Sequence, residues 1–182
     1  IWGARVDRLD RPDRLVFDLD PDEGLDWADV RAAAFELRDA LAALGLQSGA
    51  IVTGGKGVHV WLALRRTRGW ETVKLFAKTF AHVMAAQDPD RYVATMSKAK
   101  RKGRIFIDWL RNERGATAIA PYSLRARPGA PVAVPVTWEE LETLDSANGF
   151  HMGDMAARLD QPCPALAVQE DLQSLTDGAI DK

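Results

Sequence analysis

Asp18 and Asp20 stand two residues apart near the end of Leu15-Val16-Phe17-Asp18-Leu19-Asp20-Pro21, an apolar run whose β-branched and aromatic members read as a buried strand. Residues two apart in a strand share a face, so the two carboxylates project side by side. Burying two unpaired anions this close costs on the order of several kcal/mol. A divalent cation held between them is the simplest remedy. The alternative on these residues alone is an acidic turn, since Asp22 and Glu23 follow, with both carboxylates solvated. If the pair is crowded, removing either anion is expected to leave the fold intact or slightly more stable when no metal is present.

Such a pair needs a sheet to hold it, and the surrounding chain has the pattern of one. Asp26 can cap a helix in which Trp27, Val30, Ala34, Leu37, Leu41 and Leu44 recur at helical spacing, closed by Gly45. Ala50–Thr53 reads as a second strand, Gly54–Gly57 as a tight connection, and Val58–Leu64 as a third strand. Trp70–Ala86 follows as a second helix with Val73, Phe76, Ala77, Phe80, Val83 and Met84 on its buried stripe, and Arg104–Trp109 as a fourth strand. The order β-α-β-β-α-β is the split βαβ arrangement, an α/β chain of the α+β type with helices on one face of an antiparallel sheet. Its first strand lies between the third and the fourth. Asp108 can then approach Asp18 and Asp20, with His59 beside them on the open face. Three carboxylates on neighbouring strands suit two divalent ions ~3.5–4 Å apart, an arrangement for in-line displacement at phosphorus. Oxygen-only ligands favour Mg2+ or Mn2+ over zinc.

From Ala116 the pattern weakens. Ile119–Leu124 reads as extended, Pro128, Pro131 and Pro135 keep the next stretch open, and Trp138–Leu144 reads as helical. The expected organisation is a catalytic core over residues 1–146 and an acidic C-terminal segment of the same domain over 147–182. Ile1–Arg14 is polar, with Trp2 its one large apolar anchor, and a start at Ile rather than Met suggests a piece of a longer chain.

At 182 residues and 47% hydrophobic, the chain suits one globular domain. No apolar run approaches the ~18 residues of a membrane span. The single Cys163 excludes an intramolecular disulfide and fits a reducing cytosol. The net charge is only −2, but it is unevenly spread. From Thr95 to Arg127 nine Lys/Arg face Asp108 and Glu113, whereas from Thr137 to Lys182 ten Asp/Glu face Arg158 and Lys182. A basic segment in a mildly acidic chain points to a polyanionic partner met on one face.

Thr53-Gly54-Gly55-Lys56-Gly57-Val58-His59 fails as a P-loop, because Ala50 stands where the first glycine belongs and Gly57 replaces the hydroxyl residue after the lysine. Its chemistry still suits phosphate: backbone N–H groups at the glycines, the Thr53 hydroxyl, the Lys56 charge and the His59 ring. An ordinary glycine-rich hairpin is the alternative.

Together, Asp18-Leu19-Asp20, Thr53-Gly54-Gly55-Lys56-Gly57-Val58-His59 and Ile107-Asp108-Trp109 resemble the three motifs of the archaeo-eukaryotic primase superfamily. Phe17–Pro21 and Ile119-Ala120-Pro121-Tyr122-Ser123-Leu124-Arg125 resemble one branch more closely, the polymerase domain of bacterial DNA ligase D. The resemblance covers about Arg11–Leu144. It implies a primase-polymerase fold in which Asp18, Asp20 and Asp108 are catalytic and bind two Mn2+ or Mg2+ ions. Thr53, Gly55, Lys56, His59 and Arg125 would hold the incoming triphosphate, although serine is commoner at the position of Thr53. Lys98 would be another phosphate or template contact, and the charge of the basic run that it opens, with Lys100, Arg101 and Lys102, leads to the expectation that the run grips the nucleic-acid backbone beside Asp108. The implied activity is metal-dependent, template-directed nucleotidyl transfer from NTP or dNTP onto DNA ends in non-homologous end joining. Implied partners are template-primer DNA, an ATP-dependent DNA ligase domain and bacterial Ku, in the cytoplasm at the nucleoid and away from membranes. The family's domain normally carries roughly a hundred further residues before the equivalent of Asp18, including basic residues that recognise a 5′-phosphate, so end recognition is the expected deficit here. Two other readings use the same features. An RNA-recognition-type binding module shares the topology but would present exposed aromatics on its central strands. A metal-dependent phosphodiesterase would cut the bond that the polymerase makes.

Overall fold

Leu15, Phe17 and Leu19 are fully buried on one side of strand β1 (Arg14–Pro21), while Val16, Asp18 and Asp20 alternate onto the other. The two faces so defined organise the rest of the structure, a computed structural model that describes residues 1–175. The last part of the expected acidic segment, residues 176–182, lies outside the described residues.

Six strands form one sheet in the order β4-β5-β1-β3-β2-β6. They are β1, β2 (Gly49–Val52), β3 (Val58–Ala63), β4 (Tyr92–Val93), β5 (Ile105–Asp108) and β6 (Val134–Val136). Every neighbouring pair is antiparallel except β4 and β5. As the split βαβ pattern requires, β1 lies between β3 and β5. Helices α1 (Trp27–Ala43) and α2 (Trp70–Gln87) pack on the Leu15/Phe17/Leu19 face. Asp26 and Asp29 cap α1 reciprocally, and Gly45 takes a φ of 74° just past its end. The core joins Val30, Leu37 and Leu41 of α1 to Phe76 and Phe80 of α2, with the Phe17 and Phe80 ring centroids 5.1 Å apart. Val83, expected on the buried stripe of α2, is 44% exposed. Trp2 is also largely exposed, bridging to Thr117 rather than anchoring the amino-terminal stretch.

Three features depart from the sequence expectation. Tyr92–Val93 adds a short strand parallel to β5. Val134–Val136 is a strand despite Pro135, because it lies at the margin of the sheet, where a missing N–H breaks no ladder on its far side. The Pro135 carbonyl accepts a hydrogen bond from Arg158, which also pairs with Glu140 of α3 (Trp138–Thr143). Thirdly, helices are not confined to one face. After the short α4 (Met155–Leu159), α5 (Pro164–Glu170) lays Ala165 and Val168 against Val16, Ile51 and Trp61. Trp61 and Ala63 of β3 are covered in this way, and all six residues of β3 are buried rather than alternating. The other end of that face, where Asp18 and Asp20 project, is left open. Among the described residues no helix is long and apolar enough to cross a membrane.

Candidate active site

One rung of the sheet carries the chemistry. Asp18 on β1 is the register partner of His59 on β3 and of Asp108 on β5, so the three side chains line up across three strands on one face. His59 Nε2 lies 3.5 Å from Asp18 Oδ1, and His59 and Asp108 are 4% and 8% exposed. Asp20, two residues along β1, is far more open. Leu110 N–H donates to Asp108 Oδ1 at 2.9 Å.

Two guanidinium groups accompany the carboxylates. Arg111 reaches Asp108 Oδ2 with Nε at 3.2 Å and Asp18 Oδ2 with a terminal nitrogen at 3.6 Å. Arg101 donates to Asp20 Oδ2 at 3.4 Å while its guanidinium carbon lies 3.7 Å from the centroid of the Phe106 ring. Among the described residues no three acidic, His or Cys side chains are already drawn together as a ligand cluster. Burial pushes the Asp18 carboxyl up, but His59, Arg111 and Arg125 outweigh it, and the net shift is downward. Asp20 moves upward through burial and the charge of Asp18, with Arg101, Arg111 and Lys56 opposing. Asp108 also moves upward through burial, opposed by the Leu110 N–H and Arg111. Two of the three carboxyls thus resist ionisation where they stand. An all-oxygen donor set of Asp18, Asp20 and Asp108 fits Mg2+ or Mn2+ by its chemistry.

The glycine-rich connection between β2 and β3 forms the adjoining wall. Thr53 donates its hydroxyl to the Gly57 carbonyl at 2.9 Å, so that proton closes the loop and is not free for a phosphate. A Cβ on Gly57 would lie 2.3 Å from the Leu19 carbonyl oxygen, so the loop reaches β1 only because this residue is glycine. Gly54 takes a φ of 65° and donates its N–H to Ala147. Opposite stands the 117–132 segment, where Arg125 donates to the Thr53 carbonyl at 2.8 Å. A cleft of about 810 Å³ runs between these parts, bordered by Asp18, Asp20, Lys56, His59, Arg125 and Arg127. Thr53 and Gly55 also line it.

Lys98, Lys100 and Lys102 are exposed beside β5, with Lys98–Lys100 in a single 3-10 turn. Arg101 leaves this group and turns inward to Asp20. Sequence reasoning missed Arg111, Arg127 and Asn112. Arg111 stands three residues after Asp108, a spacing at which a turn brings a side chain back, and that was the available signal. Asn112 is buried against β1 beyond the end of β5, which nothing in its sequence neighbours announces.

Residues 1–164 match the family model described as LigD, primase-polymerase domain. The chain is 43% identical over 160 residues to a multifunctional non-homologous end joining protein LigD of Pseudomonas aeruginosa, covering 88% of this chain and 19% of that protein. It is 33% identical over 177 residues to the corresponding LigD of Mycolicibacterium smegmatis, covering 91% of this chain and 23% of the other. It thus spans about a fifth of the length of these relatives. The polymerase domain of Mycobacterium tuberculosis ligase D, solved in complex with DNA, superposes with a TM-score of 0.80 at 33% identity, over 90% of this chain and 57% of that one.

Proposed function

The chain belongs to the LigD primase-polymerase domain family, and from that premise we propose that it is a metal-dependent, template-directed nucleotidyltransferase that extends or fills DNA ends in non-homologous end joining. The observation that carries this reading is a cleft lined by Asp18, Asp20 and His59 together with Lys56, Arg125 and Arg127, with Asp108 on the same rung as Asp18 and His59. Carboxylates and cations facing one cleft match a reaction between a primer hydroxyl and a nucleoside triphosphate.

Asp18, Asp20 and Asp108 would hold the divalent ions. When bound there, those ions supply Lewis acidity toward the primer 3′-hydroxyl and neutralise the departing pyrophosphate. Lys56 and Arg125 hold the triphosphate in line. Their charges are fixed before reaction, so no reorganisation is needed as charge builds on the leaving group. His59 keeps Asp18 oriented toward the cleft and offers its ring edge to phosphate. Lys98, Lys100 and Lys102 form a track for DNA beside β5. Catalysis would reside in residues 1–146, with 147–175 bracing the fold. A ligase domain and bacterial Ku are the partners this reading implies, and the bacterial cytoplasm is its setting.

A non-catalytic RNA-recognition module is disfavoured by the central strands. Trp61 is buried beneath α5 and Arg14, and Phe106 lies buried under Arg101, so neither ring is free to stack on a base. The deciding assay is a recessed primer-template incubated with nucleotides and Mn2+. Extension that disappears in Asp18→Ala supports the reading. Primer shortening indicates a phosphodiesterase, and binding with no change in length a non-catalytic module.

A further inference from the structure

β5 ends at Asp108, but β1 continues past it, and Val16 stands where the next rung would pair with residue 110. Leu110 does not fill that place. The side chain of Asn112 does: its Oδ1 accepts from the Val16 N–H at 2.8 Å and its Nδ2 donates to the Val16 carbonyl at 2.7 Å. A carboxamide carries the same donor and acceptor as a peptide unit, so one side chain substitutes for a missing strand residue. Asn112 is only 2% exposed, and the same Nδ2 also donates to the Trp109 carbonyl at 2.8 Å.

This substitution frees residues 109–111 from the sheet. They fold into a turn closed by Asn112 N–H on the Trp109 carbonyl at 3.2 Å. The turn sets two groups against one carboxylate: Leu110 N–H donates to Asp108 Oδ1, and the Arg111 guanidinium forms an ion pair with Asp108 Oδ2, its Nε 3.2 Å away. Both oxygens of Asp108 are therefore oriented by a turn that Asn112 locks to β1.

We infer that Asn112 is a positioning residue for the carboxylate rung, holding through this turn the direction in which Asp108 presents its oxygens to a divalent ion. The inference rests on the metal-dependent reading given above. Asn112 touches neither substrate nor the reacting atoms. Its effect is that of a partner that orients a ligand, where loss typically weakens metal affinity by about 10–100-fold.

The test is calorimetric titration of the chain with Mn2+, without nucleotide or DNA, alongside thermal unfolding. Asn112→Ala is expected to weaken Mn2+ binding by about 10-fold or more. Leu141→Ala, a core truncation on α3 away from the rung, is expected to lower the melting temperature and leave Mn2+ affinity unchanged. Leu110→Pro removes the N–H that reaches Asp108 and leaves the Val16 bonds intact. It sits at the second position of the turn, where proline is favoured, and is expected to weaken Mn2+ binding in a folded protein. Folded Asn112→Ala or Leu110→Pro with wild-type Mn2+ affinity would overturn the inference, and if Asn112→Ala fails to fold, Leu110→Pro decides. A wild-type chain that takes up no Mn2+ overturns the metal-dependent reading and this inference with it, an outcome distinct from the first.

Discussion

Asp18 and Asp108 face each other across one rung of the β1–β5 ladder, yet their surroundings push them in opposite directions: His59, Arg111 and Arg125 draw Asp18 downward, while burial drives Asp108 upward. The sequence suggests that removing any crowded carboxylate relieves repulsion. The structure separates the two cases. In metal-free protein, Asp18→Asn is expected to lower the melting temperature and Asp108→Asn to raise it.

The pH dependence of these two variants follows from the same shifts. A carboxyl held below its ordinary value of 3.8 contributes stability above that value, and this is lost as pH falls through the folded pKa. A raised carboxyl favours its protonated form in the fold, so its contribution is present at low pH and lost as pH rises through the folded pKa. The penalty of Asp18→Asn and the gain of Asp108→Asn are thus both largest near neutrality and both fade in acid. Melting curves between about pH 7 and pH 3 check this. A gain from Asp108→Asn that persists unchanged in acid contradicts the assignment.

On the cation wall, His59→Ala and Arg125→Ala are expected to raise KM for the nucleoside triphosphate and lower kcat, with DNA affinity little changed. A combined loss of about 10–100-fold in kcat/KM corresponds to about 1.4–2.7 kcal/mol of transition-state stabilisation. Arg125 also holds the Thr53 carbonyl, so Arg125→Lys is expected to recover only part of the activity. Steady-state kinetics with an anisotropy measurement of DNA binding distinguishes this from a template role, in which DNA affinity falls instead.

The basic run makes a separate claim. Each phosphate that a lysine no longer neutralises lowers the slope of log affinity against log salt by roughly 0.7–0.9. Lys100→Ala with Lys102→Ala is therefore expected to reduce that slope by roughly 1.4–1.8, and to do so for DNA of any sequence. Arg101→Ala is expected to change it less, because Arg101 is turned toward Asp20. Salt titrations by fluorescence anisotropy provide the comparison, and unchanged slopes for the double variant assign these lysines to solvent.

Gly57→Ala places a Cβ against the Leu19 carbonyl and is expected to cost about 3 kcal/mol, at the upper end of overpacking penalties. Gly24→Ala, where nothing lies within 4 Å of the added atom, is the matched control. Equal denaturant midpoints for the two variants would show that the loop yields freely.

Local pattern made most of the fold legible. The alternation of Leu15 to Asp20, the cap at Asp26, and the stripes of Trp27–Leu41 and Val73–Met84 each report a single element against one core. What stayed hidden depends on partners distant in the chain. Tyr92–Val93 is too short to carry a period and exists as a strand only because Ile105 and Phe106 lie beside it. Pro135 masks β6, since a proline speaks against a strand unless the strand is known to be marginal. The burial of Trp61 and Ala63 on the second face of β3 comes from α5, about a hundred residues later in the chain. In the site, Asp18, Asp20, Lys56 and His59 sit in short motifs and were readable as a group. Arg111 and Asn112 act through a turn whose geometry depends on where β5 stops, which the run Ile107-Asp108-Trp109-Leu110 does not reveal.

The proline within β6 also bears on how this chain behaves among its own copies. A sheet margin with free N–H and carbonyl groups is a template on which another molecule can add a strand. Here one margin is only two residues long at β4. The other is three residues long, has no N–H at its centre, and has the carbonyl there held by Arg158. Among the described residues neither margin offers a second chain more than a short ladder, so the backbone itself, apart from surface charge, disfavours edge-to-edge pairing.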